Sequence, residues 1–154
     1  MKRLKRLALV VFALMATLTM NAESLSEEIV GKWVQTMNKD GMMVIAVYDF
    51  DKDGIMTQET SIMGMSPKID IMAKATCSYS CPDDNTVLIK VSAKDVEFSK
   101  FEVEGLDPAY GQMAMEYQKN QMAAQEMSLK DVKIKDGKTL TCKIGKEEFT
   151  LTRK

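Results

Sequence analysis

The feature that most constrains this chain is a two-residue alternation of apolar and polar side chains. It recurs in segment after segment between Gly31 and Arg153 and is broken at short turn sequences and by one longer stretch before 130. Alternation with that period gives each segment one face for a core and one for water, the pattern of strands in an antiparallel sheet. The breaks are Asn38-Lys39-Asp40-Gly41, Asp51-Lys52-Asp53-Gly54, Gly64-Met65-Ser66-Pro67, Pro82-Asp83-Asp84-Asn85 and Asp136-Gly137. All are rich in residues that fix or tolerate turn conformations. The spacing predicts strands over 31–37, 42–50, 55–63, 69–80, 86–91, 96–103, 130–135, 139–144 and 147–153. Along 69–80, Ile71, Ala73, Ala75, Cys77 and Tyr79 share one face.

One stretch departs from this period. Asp107 followed by Pro108 reads as a helix start, with a capping side chain and then a proline where its missing N–H costs nothing. Over 108–127 the residues Tyr110, Met113, Ala114, Tyr117, Ala124 and Met127 recur at spacings that build one helical face. That face is too large to leave in water and is expected to lie across the open mouth of the folded sheet, where a methionine-rich cover would repack around apolar guests and Met113 and Tyr117 would touch them; packing on the outer wall is the alternative. A sheet of so many short strands exposes edges unless it closes on itself. The fold expected is therefore mainly β: an antiparallel up-and-down β-barrel of about 8–10 strands with one amphipathic α-helix inserted between late strands.

The first 22 residues read as a leader outside this domain. Lys2, Arg3, Lys5 and Arg6 precede an apolar run over 7–20, and Asn21-Ala22 supplies a small residue before the first acidic one, Glu23. This is the tripartite pattern of a secretory signal peptide with cleavage after Ala22, so a periplasmic or extracellular address is expected. Removing the leader's four basic residues leaves 17 against 22 acidic ones, a net charge of −5 on a domain spanning 23–154. Such a balance argues against nucleic-acid binding, and no membrane span is expected in the mature chain.

The chain contains no histidine, which removes the commonest general base and zinc ligand. Paired carboxylates such as Glu102/Glu104 and Glu147/Glu148 fall beside turns or on polar faces and read as solvated surface. Asp49, Asp51 and Asp53 followed by Gly54 match the first half of a calcium loop, but position twelve is Thr60. An Asp-rich type I′ hairpin accounts for the same residues without a metal. Three cysteines, Cys77, Cys81 and Cys142, leave one unpaired in any disulfide arrangement. Cys77 and Cys81 would stand about 13 Å apart along a regular strand, beyond disulfide reach without a bend. No catalytic residues and no cofactor are expected.

Gly31-x-Trp33 at the head of the strand series, the hairpin glycines and the final alternating strand resemble the lipocalin-like group of the calycin superfamily in its small secreted bacterial form. The Thr-Asp-Tyr turn of that group is absent, and lipocalins carry their helix after the barrel rather than within it. The resemblance implies that Trp33 closes the barrel base beneath Arg153, the one arginine beyond the leader. It also implies an interior for a small hydrophobic ligand; with the helix as its cover, Met113 and Tyr117 are candidate contacts beside Tyr79 and Ile71, while the eleven methionines after the leader read first as soft core and second as a lining that adapts to a guest. A protein-interaction module using the rim or the helix is the other expectation, and an open against a filled interior separates the two.

Overall fold

The structure, a computed structural model, describes residues 24–124 and 126–154; the leader expected over 1–22 lies outside the described residues. A short helix α1 (Leu25–Glu28) precedes five strands, β1 (Gly31–Lys39), β2 (Met42–Phe50), β3 (Ile55–Met65), β4 (Lys68–Asp83) and β5 (Thr86–Val103). Helix α2 (Pro108–Ala124) follows, and β6 (Met127–Lys135), β7 (Thr139–Ile144) and β8 (Glu147–Arg153) complete the chain. The strands run antiparallel in sequence order and close into an eight-stranded up-and-down barrel, with β8 returning to β1.

Two of the expected strands are one. The stretch Ser92-Ala93-Lys94-Asp95 holds no glycine, proline or asparagine to reverse the chain, so 86–91 and 96–103 join as β5. It pairs with β4 throughout, and the extra residues are absorbed where the register slips between Ala75/Val96 and Cys77/Val91. Several strands also run past their expected ends, β4 carrying Pro82 and β6 starting at Met127. Asp40-Gly41 and Asp136-Gly137 have positive φ at both positions, as type I′ turns require; the first is a two-residue hairpin, while Lys138 follows the second before β7 begins. The Asp51–Gly54 hairpin is not of that type. Only Gly54 has positive φ there, and the Asp51 carboxylate accepts hydrogen bonds from the Asp53 and Ile55 amides at 2.8 and 2.9 Å.

Closure is uneven, and this positions the site. β8 pairs with β1 only at Trp33↔Arg153 and Val34↔Thr152, and β6 pairs with β5 only from Val87 to Ile89. The barrel is sealed at the end holding those pairs. At the other end β1 to β5 continue as a curved sheet whose inner residues, Val44, Ile62, Ile71 and Phe101 among them, are half-buried.

Helix α2 lies along β5 where β6 has left it. Asp107 caps it, its carboxylate accepting from the Ala109 amide at 2.8 Å. The helix ends at Ala124 rather than 127. Its inward face is not the expected one. Tyr110, Met113 and Tyr117 are exposed, while Gly111 is buried and Ala114, Met115 and Met122 are half-buried. Apolar residues occupy more than one side of this helix, so spacing alone supported two stripes. The short 104–107 connection from β5 sets the helix rotation and turns Gly111 toward Leu106.

Candidate functional site

Inside the sealed end the barrel is packed. Trp33, Phe50, Met56, Val87, Leu140 and Leu151 are buried there, and Ile29 after α1 closes the bottom. The Trp33 indole N–H donates to the Ile29 carbonyl at 2.7 Å. Arg153 lies over the same ring, its guanidinium carbon 4.3 Å from the centroid, and donates to the carbonyls of Glu28 at 2.6 Å and Val30 at 2.8 Å. Its Nε reaches the Gly137 carbonyl. One side chain thus ties α1, the β6–β7 turn and β8 to the tryptophan. Gly31 makes room for it: a Cβ there would stand 2.7 Å from Arg153 Nη1.

Above this plug the one fully buried polar side chain among the described residues, Gln35, accepts a hydrogen bond from the Tyr48 hydroxyl at 3.1 Å. Gln35 and Tyr48 share their layer with Phe50, Leu129, Cys142 and Phe149, and only about 10 Å³ of free space remains between them. Burial pushes the Tyr48 phenol up to about 12, with the neighbouring Cys142 adding to the shift.

Higher still, toward the open end, a cavity of about 540 Å³ opens between β3, β4, β5, the end of α2 and the β7–β8 turn. Gln58, Cys77, Ile89, Val91, Met122 and Met127 line its apolar body, and Lys130 and Glu126 stand at its edge. Ser128 is also on the lining, and its hydroxyl oxygen is buried with no hydrogen-bond partner among the described residues. The Cys77 thiol is pushed up to about 11, first by burial and then by Asp95, so it presents no thiolate to the cavity at neutral pH. The arrangement can enclose an apolar body and offer it a hydroxyl and an amide as polar contacts.

The candidate residues read from the sequence scatter over the molecule. Trp33 and Arg153 come together at the base. Tyr79 is also near the base, its ring edge-on to Phe50 at 5.0 Å and its hydroxyl donating to the Asp51 carbonyl. Ile71 faces inward between Ile62 and Phe101, further up the sheet than the cavity lining. Met113 and Tyr117, 68 % and 61 % exposed, point away from the barrel, which corrects the packing expected of them. Met122, one stripe around the helix, takes the inward place. Asp49 pairs with Lys32 at 3.6 Å on the outer wall, apart from the hairpin bonds of Asp51. The described residues hold no group of three or more His, Cys, Asp or Glu placed to share a metal ion. All three cysteines are free thiols.

Sequence reasoning passed over Gln58, Val91 and Ser128. The signal for Gln58 was present, since Gln58 and Thr60 are polar residues on the strand face that otherwise carries Met56 and Ile62. The fold and cavity define the class: an eight-stranded antiparallel up-and-down barrel, plugged at one end and hollow toward the other. No protein-family model matches the chain, and no curated protein matches it. No helix among the described residues is long and apolar enough to cross a membrane.

Proposed function

We propose that this is an exported, lipocalin-like binding protein that holds a small hydrophobic ligand in the cavity above the plug, without catalysing a reaction on it. The observation that carries the reading is the division of the interior. The lower half is filled, while the upper half keeps about 540 Å³ of apolar space, within the roughly 300–1,000 Å³ typical of small-molecule sites. Half-buried methionines at its rim, Met122 and Met127, can repack around guests of differing shape. A guest with one hydrogen-bonding group would satisfy Ser128 as well.

The test fills the cavity. Val91 faces Cys77 across β4 and β5 and is only half-buried, so Val91→Trp places an indole in the free space. Binding of an apolar fluorescent probe should weaken at least tenfold, with the far-ultraviolet circular dichroism unchanged. Met113→Ala/Tyr117→Ala should bind the probe as the parent does. Unaltered affinity in the filled variant would sink the reading. Native mass spectrometry of protein taken from its own producing cells should show a retained small molecule and a chain beginning at Glu23.

A second reading, a protein-interaction module, is favoured by the exposed stripe Tyr110, Met113 and Tyr117 on α2. It predicts the reverse pattern, with the helix variant losing a partner and the filled cavity having no effect.

A further inference from the structure

Two sets of methionines among the described residues have contrasting surroundings. Met56, Met122 and Met127 belong to the core or pack against it. Another set gathers outside, at the tips of two neighbouring hairpins, where β-branched or charged residues would be the ordinary choice for a strand's solvent face. Met43 on β2 and Met63 on β3 are direct cross-strand partners. Met65, two residues beyond Met63, projects from the same outer face. Exposures of 40 %, 41 % and 93 % leave all three thioethers open to solvent. The same residues line one surface depression of about 730 Å³ between the β1–β2 and β3–β4 turns.

We propose that Met43, Met63 and Met65 form a thioether site for a soft monovalent cation, Cu(I) being the biological ion of that class. The register supplies the convergence. Directly opposed side chains start about 5 Å apart at Cβ, and diagonal neighbours start about 7–8 Å apart. Each methionine adds three rotatable bonds, so the three sulfurs can close on one ion without moving the backbone. The surroundings select by softness rather than by charge. Asp40 and Asp70 line the depression, but so do Lys39 and Lys68, and Asp70 is already paired with Lys100. Nothing there concentrates negative charge for Ca²⁺ or Zn²⁺, which take carboxylate or imidazole ligands; neutral thioethers favour Cu(I). They also release no proton on binding, unlike thiolates. This site lies at the hairpin tips, separate from the interior cavity, and is independent of what the cavity holds.

The experiment is an anaerobic Cu(I) titration of the purified protein against a chromogenic chelator, with Ag(I) as a redox-stable substitute read by the methyl signals of ¹³C-methionine. One equivalent is expected, with shifts at the Met43, Met63 and Met65 methyls and none at Met56 or Met127. The M43L/M63L/M65L variant conserves side-chain volume, so its circular dichroism should match the parent's while Cu(I) affinity falls at least a hundredfold. Affinity should stay flat between pH 5 and 7. Unchanged affinity in the leucine variant would overturn the site and leave a plain apolar patch. So would affinity that climbs tenfold per pH unit, since the ligand would then be a cysteine thiolate.

Discussion

Replacing Gly31 by Ala tests the reason a glycine stands two residues before the tryptophan. Gly31 has φ +123°, where a side chain strains the backbone, at about 1–3 kcal/mol. The new methyl would also lie 2.7 Å from Arg153 Nη1. A free arginine end would swing aside, but this one is held over Trp33 and by three carbonyls. Displacing it sacrifices an exposed cation–π contact worth about 1 kcal/mol. It also sacrifices hydrogen bonds worth about 0.5–1 kcal/mol each at a wet surface. Gly31→Ala should therefore cost about 3.5–7 kcal/mol, and Arg153→Ala about 2.5–4 kcal/mol, on the same accounting. In Arg153→Ala the clash is gone, so adding Gly31→Ala should cost only the backbone strain, about 1–3 kcal/mol. Urea unfolding followed by circular dichroism gives the three differences, and the emission maximum of the sole tryptophan reports whether the base has opened. A coupling of at least about 1 kcal/mol is expected for groups in such contact. Additivity within about 0.5 kcal/mol would refute the idea that this glycine exists to admit the arginine.

Three further outcomes follow from the same structure. Met113→Ala/Tyr117→Ala should change stability by less than about 0.5 kcal/mol per site, since both side chains are exposed, whereas Met122→Ala should lose about 1–2 kcal/mol by uncovering the cavity rim; equal costs would put the helix the other way round. Cys77 and Cys142 are raised from 9.0 to about 11 and Tyr48 from 10.0 to about 12. Each is an acid buried in its neutral form, so its contribution is fully present below the unfolded value and is lost as pH climbs through the folded one. Urea midpoints should accordingly hold between pH 6 and 8 and fall from about pH 9 toward 12, and a flat profile across that upper range would contradict the burial of these groups. Asp51→Ala should cost about 1 kcal/mol by freeing the Asp53 and Ile55 amides. That cost should be the same in millimolar calcium and in chelator, and a calcium-dependent difference would show that Asp49, Asp51 and Asp53 hold an ion.

The sequence by itself determined most of the strands and their inward faces, because each of these is a local period read against turn residues, although it divided β5 in two. Ile71, Ala73, Ala75, Cys77 and Tyr79 share the inner face of β4 as their alternation required. The helix was equally legible from Asp107-Pro108 and its spacing, to within three residues of its end. What the tertiary structure decided is where two periods meet. A helix with apolar residues on more than one stripe has no preferred face until the 104–107 connection and β5 fix its rotation, so Met122 turns in and Tyr117 out. Closure of a barrel depends on how far each strand follows its neighbour. The brief β1–β8 and β5–β6 pairings are sums over distant residues that no local window contains. Those two pairings fill the interior around Trp33 and Tyr48 and leave it hollow beside Val91, which is why the candidate site emerged only once the chain was folded.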